Sequence, residues 1–155
     1  MRAVIDTNVL FEGLTKQGGV CGLVVDAWLA RLYRPCVSTA LAYQYADVLG
    51  RKLSERRWAS LKPVLEKILV QAAPVMIYFT WRPTSPDPGD DLVIDCAMNA
   101  GAPVVTASVQ DFRRAHQALG LAGLTPIEFL LRLDSETRRD DDGAIDLAFA
   151  GHVTS

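Results

Sequence analysis

The stretch RAVIDTN, residues 2–8, decides how the rest of the chain is read. Arg2 to Ile5 reads as a short buried strand, and it stops at Asp6. A carboxylate at the tip of a buried strand is costly unless something pairs with it. Similar short apolar runs recur at Cys36-Val37, Val75–Phe79, Pro103–Thr106 and Leu121–Thr125. Between them, apolar residues fall at helical spacing. Val20, Leu23, Val24, Ala27 and Trp28 mark a helix within residues 18–33, which Arg34-Pro35 breaks. Ser38 is placed to cap a helix through Leu41, Tyr45 and Leu49. Trp58 to Ala73 is amphipathic, with Pro63 allowed in its first turn or at a kink.

A Pro-rich loop, WRPTSPDPG, follows the third strand. Asp90 then reads as an N-cap or first-turn residue of a helix to Ala100, closed by Gly101 at its C′ position. Another helix covers Phe112 to Leu119, and Pro126 is an N1 proline for IEFLLRL. This alternation predicts an α/β fold, a three-layer α/β/α sandwich around a central parallel sheet of four to five short strands. Right-handed crossovers would bring the carboxyl ends of all strands to one edge, where such folds place their sites.

The bulk properties fit that reading. A chain of 155 residues, half of them apolar, suits one domain with a full core. The domain is expected over residues 1–133, and residues 134–155 read as an appended tail, either a docked helix or a disordered end. A net charge of −2 gives no global attraction to nucleic acid, so any polyanion needs a local basic patch. Cys21, Cys36 and Cys96 are odd in number, form no C-x-x-C pair and sit among apolar neighbours. They read as buried thiols in a reducing compartment. With no signal peptide and no bilayer-length apolar stretch, the expectation is a cytoplasmic protein that does not bind membrane.

The carboxylates are the informative feature. Asp6 ends the first strand, Asp90 and Asp95 lie on the helix before the fourth strand, and Asp111 lies just past that strand. In a parallel sheet these segments open at one edge. Three or four carboxylates together stay ionised only with cations nearby, and hard ions such as Mg²⁺ or Mn²⁺ prefer such oxygen ligands.

DTN after the first strand, then DDLVIDCAMNAG, PVVTASVQDF and TPIEFL, in that order, resemble the PIN-domain ribonucleases, and most of all the toxins of toxin–antitoxin pairs. The resemblance runs from about Arg2 to Leu133. It implies metal-dependent endoribonuclease chemistry, with Asp6, Asp90 and Asp111 as metal-binding acids and Asp95 where relatives often carry another. Thr7 and Asn8 match the small polar residues of the first aspartate's loop, and Thr106 belongs to the element that holds Asp111. Two positions depart from the family. Gln44, in STALAYQY, stands where the second acid is expected, and Ser108 occupies the small polar or acidic position after the fourth strand. An amide at residue 44 adds no charge, and Asp47 lies one turn further along the helix. The resemblance also implies a cognate antitoxin and a homodimer. A second reading follows from Gln44: a catalytically weakened PIN fold serving as an RNA-binding or protein-interaction module.

Single residues also have plainer readings. Asp6 could be a turn residue, Asp90 and Asp111 helix caps, and Asp95 a solvated helix-face residue. The basic residues Arg51 and Lys52 fit a solvated helix end or an RNA phosphate contact, and Arg113 and Arg114 border Asp111. Trp28, Trp58 and Trp81 read as packing residues. His116 and His152 lie in none of the matched motifs.

Overall fold

The computed structural model describes residues 1–16, 18–80 and 88–153, with the backbone alone for residues 88–89, 111, 114, 118 and 141–153. The Pro-rich segment 81–87, with Trp81, lies outside the described residues. So do the side chains of Asp111, Arg114 and His152.

Five parallel strands form one sheet in the order β3-β2-β1-β4-β5. They are β1 (Arg2–Ile5), β2 (Arg34–Ser38), β3 (Ala73–Val75), β4 (Val104–Val105) and β5 (Gly123–Leu124). The helices that flank them are α1 (Thr7–Thr15), α2 (Val20–Leu29), α3 (Thr39–Lys52), α4 (Glu55–Val70), α5 (Pro88–Ala100), α6 (Arg113–Leu119) and α7 (Pro126–Val153). This is the parallel α/β arrangement that the alternating pattern predicts. Strand β1 is central, with Ala3, Val4 and Ile5 all fully buried. Its apolar run has no polar face to give to water, as expected of a strand covered on both sides. Strands 1 to 3 step outward one way and strands 4 and 5 the other. The topological switch point therefore lies between β1 and β4, whose registers pair Val4 with Val104 and Ile5 with Val105.

The core gathers around Trp28, Tyr45 and Phe129. The Trp28 indole N–H donates to the Ile68 carbonyl at 2.9 Å, and the Tyr33 hydroxyl to the Val24 carbonyl at 2.9 Å. The Tyr33 ring meets Phe129 edge-on with centroids 4.8 Å apart. Trp28 is thus a packing residue with its polar atom satisfied, as its sequence position suggests. Cys36 and Cys96 are buried, whereas Cys21 is only half-buried. Burial pushes the Cys96 thiol up to about 11, so it stays protonated at neutral pH.

Several boundaries differ from the sequence expectation. Helix α1 is not foreseen by periodicity, because Gly13 lies inside it and glycine disfavours a helix interior. Packing explains both features. A Cβ built at Gly13 would lie 2.5 Å from the Cys21 carbonyl oxygen and from a Val25 methyl, so only glycine lets α1 and α2 approach this closely. Helix α2 ends at Leu29, short of the predicted 33. There Arg31 adopts φ 60° and the Leu32 N–H reaches back to the Ala27 carbonyl at 3.0 Å, a left-handed terminus. Gly101 closes α5 in the same way, with φ 63°. Helix α4 starts at Glu55 under a Ser54 cap, which places Pro63 inside it rather than in the first turn.

The third strand is Ala73–Val75, not Val75–Phe79. Its partner β2 stops at Ser38, and α3 follows from Thr39, so β2 offers no residue to pair with 76–79. The Asn99 side chain ties that segment instead, accepting from the Tyr78 N–H at 3.0 Å and donating to the Phe79 carbonyl at 2.9 Å. From Pro126 the last helix runs without a break past residue 134 to Val153.

Replacing Gly13 with alanine should lower stability by about 1–3 kcal/mol, because the added methyl has no room beside the α2 backbone. Urea denaturation of Gly13→Ala against wild type checks this, and an unchanged midpoint would contradict the close approach.

Candidate functional site

Asp6 follows directly on β1, and its N–H completes the sheet by donating to the Val105 carbonyl at 2.9 Å. It sits at the N-cap of α1, yet its side chain makes no capping hydrogen bond to that helix. The carboxylate is buried, and the Thr106 hydroxyl donates to its Oδ2 at 2.8 Å across the switch point. Thr106 is itself oriented, because the Ser108 N–H donates to its Oγ1 at 3.0 Å. The Tyr45 hydroxyl, fully buried, donates to the Ile5 carbonyl just before Asp6. Burial, with the nearby Asp6 charge adding to it, raises the Tyr45 phenol well above its ordinary range, so this donor keeps its proton. Asp6 is thus held from both neighbouring segments, and the cap reading does not account for its side chain.

A cavity of about 620 Å³ opens beside it. Asp6, Thr7 and Asn8 line it from the start of α1, Gln44 and Asp47 from α3, and Asp90 from the first turn of α5. The two acids of that first turn, Asp90 and Asp91, favour the positive end of the helix dipole. Arg51 and Lys52, in the last turn of α3, complete the lining. Arg51 Nε donates to Asp47 Oδ2 at 2.9 Å, and Lys52 Nζ stands 5.1 Å from the centre of the Phe11 ring. The cavity therefore combines the carboxylates of Asp6, Asp47 and Asp90 with two oriented cations, one of them already paired with Asp47.

The structure brings together Asp6, Thr7, Asn8, Gln44, Asp90, Arg51 and Lys52, all candidates from sequence, and hangs Thr106 and Ser108 behind Asp6. Asp95 is buried on α5 but does not line this cavity. Exposed Arg113 faces a separate groove with His116 and Arg132. The backbone of Asp111 lies in a single 3-10 turn, Val109–Phe112. Two polar lining residues, Tyr43 and Asp47, are not among the site candidates read from sequence. Their signal is helical spacing: residues 40, 43, 44, 47, 48 and 51 form one stripe along α3.

Two polar atoms in this cavity's wall, Thr7 Oγ1 and Gln44 Oε1, are buried and have no hydrogen-bond partner among the described residues. Buried oxygens without donors are rare and call for a ligand or water. Apart from its two cations, the cavity's polar lining is carboxylate, amide and hydroxyl oxygen, and no histidine or cysteine lines it among the described residues. That chemistry fits a hard divalent cation. Among the described residues, no group of three or more His, Cys, Asp and Glu side chains is close enough to hold one without other donors.

The sequence pattern of the PIN domain matches residues 2–108. The chain belongs to the PIN-domain family. The match takes in Asp6, Gln44, Asp90, Thr106 and Ser108, and it ends before Asp111. In fold, this PIN domain is similar to VapBC2 from Rickettsia felis bound to a DNA fragment from their promoter, with TM-score 0.60 and 12% identity over 81% of this chain and 98% of that one. It is also similar to VapBC-1 from nontypeable Haemophilus influenzae, with TM-score 0.56 and 12% identity over 82% and 99%. FitAcB from Neisseria gonorrhoeae gives 0.55 and 14% over 80% and 97%. At such identities the likeness is one of fold. No curated protein sequence matches the chain.

Thr106→Val removes the donor to Asp6 and the acceptor of the Ser108 N–H while keeping the side chain's shape. Stability should fall by about 1–3 kcal/mol. Urea denaturation measures it, and a loss under about 0.5 kcal/mol would mean that the Asp6 carboxylate is held by other means.

Proposed function

We propose that this PIN domain is a metal-dependent endoribonuclease and the toxin of a toxin–antitoxin pair, acting in the cytoplasm as a homodimer. The observation that carries the enzymatic part is the shared cavity, lined by the acids Asp6 and Asp90 and by the cations Arg51 and Lys52. The partner rests on the toxin-like motifs and on the fold shared with VapBC and FitAcB.

Asp6 and Asp90, with Asp111 as the third acid, are the residues that would hold Mg²⁺ or Mn²⁺. When bound, the ion supplies Lewis-acid stabilisation of the charge that develops on a phosphodiester under attack. The chain's own groups do the rest. Thr106 and the Tyr45–Ile5 contact keep Asp6 in one orientation, so little reorganisation accompanies binding. Gln44 Oε1, buried and without a partner among the described residues, accepts a hydrogen bond from a water and so orients it. Arg51 and Lys52 neutralise the phosphate oxygens, which makes RNA affinity fall with added salt. The cognate antitoxin restrains the enzyme by covering this cavity.

Gln44 favours one further reading, a PIN fold retained for RNA or protein binding after its catalytic power has weakened. An amide contributes an oxygen but no charge, and affinity for hard cations follows the number of charged ligands.

Titration calorimetry with Mn²⁺, together with cleavage of a structured RNA, tests both readings. Wild type should bind Mn²⁺ and cut RNA only with metal present. Asp6→Asn should weaken Mn²⁺ at least about tenfold and abolish cleavage, and Gln44→Glu should tighten Mn²⁺ about tenfold. A wild type that neither binds Mn²⁺ nor cuts RNA, with both restored by Gln44→Glu, would establish the weakened fold.

A further inference from the structure

A second cavity, of about 370 Å³, adjoins the acidic one. Val37 and Thr39 line it where β2 passes into α3, Ala42 and Ala46 from α3, Leu69 from the end of α4, and Pro74 from β3. Among the described residues, no charged side chain lines it. Tyr43 lines both cavities. Its ring is 74% exposed, on the α3 stripe that also carries Gln44 and Asp47. An apolar compartment and a charged one thus share a single aromatic wall.

A nucleotide has the same two-part chemistry, a flat apolar base joined through its sugar to an anionic phosphate. We propose that the apolar cavity is a nucleobase subsite, with the Tyr43 ring as its stacking wall, for the nucleotide next to the phosphate held in the Asp6–Asp90 cavity. This rests on the ribonuclease reading above. The size suits a small ligand, since such pockets run from roughly 300 to 1,000 Å³. The continuity with the acidic cavity, through Tyr43, is what selects a base over a protein side chain as occupant. Ser38 is already committed, its Oγ accepting from the Leu41 N–H at 3.1 Å. Thr39 is exposed and offers its hydroxyl to a base edge. Arg51 and Lys52, held by Asp47 and Phe11, place positive charge on the phosphate side. Base–aromatic stacking tolerates any base, so this subsite sets strandedness more than sequence. A base reaches Tyr43 only when it is out of a duplex, so paired RNA is excluded.

The test uses the full chain in chelator, so that binding is read without cleavage, and a short single-stranded RNA of mixed sequence against its duplex by fluorescence anisotropy. Tyr43→Ala should lose about 5- to 100-fold in affinity for the single strand, and Tyr43→Phe should stay within about twofold of wild type. Duplex binding should be weaker and unaffected by either change. A single strand carrying 4-thiouridine should crosslink to the peptide that contains Tyr43. Should Tyr43→Ala bind the single strand as wild type does while Lys52→Gln binds it less tightly, the subsite is overturned and the ribonuclease reading stands. Wild type that neither binds RNA in chelator nor cuts it with Mn²⁺ overturns both. If Tyr43→Ala alters the sedimentation of the free protein without altering RNA affinity, the cavity belongs to an interface between copies, and the subsite is overturned.

Discussion

A carboxylate buried at the switch point of a parallel sheet has to be held, and here the Thr106 hydroxyl holds it, 2.8 Å from Asp6 Oδ2. The bond joins the residues that follow the two adjacent strands β1 and β4, so it depends on their register and reports on it. A slip of one residue would turn Thr106 to the other face of its strand. The same register buries Val4, Ile5, Val104 and Val105 together in the sheet. Sheet assembly and site assembly are therefore one event: the interior fixes where β1 and β4 end, and their ends fix the first acid.

Helix α3 supplies the other half of the site. Ser38 caps it, Leu41, Tyr45 and Leu49 bury one face, and Gln44, Asp47 and Arg51 follow one another along the cavity side. Tyr45 links the two faces, since its ring is core and its hydroxyl reaches the Ile5 carbonyl. Gln44 puts a neutral amide on the cavity wall, and the neighbouring Asp47 is engaged by Arg51.

Much of this was legible in the sequence because buried parallel strands are short apolar runs and their carboxyl ends converge by topology. That reasoning puts Asp6, Asp90, Asp95 and Asp111 at one edge, and the structure places Asp6 and Asp90 in one cavity; Gln44, which only the family resemblance points to, lines it too. Asp95 shows the limit of it. Five residues beyond Asp90 it lies roughly 140° around the helix, so nearness in sequence does not carry it to the same cavity. The Thr106–Asp6 bond was not legible, since it depends on pairing between residues 100 positions apart. Helix α1 was hidden by Gly13, whose reason is tertiary. The limits of β3 were misplaced because an edge strand ends where its partner ends, not where its own apolar run does. Tyr43 and Asp47 could have been found from the helical stripe through Gln44, but spacing alone assigns them no chemistry.

The central claim is that Asp6 and Asp90 share a divalent cation. Anomalous scattering at the manganese edge, from crystals grown with Mn²⁺, tests it most directly. The account predicts a peak in the α1–α3–α5 cavity within ligand distance of both carboxylates, absent from Asp6→Asn crystals. A cavity without manganese, or manganese bound away from Asp6, would contradict it.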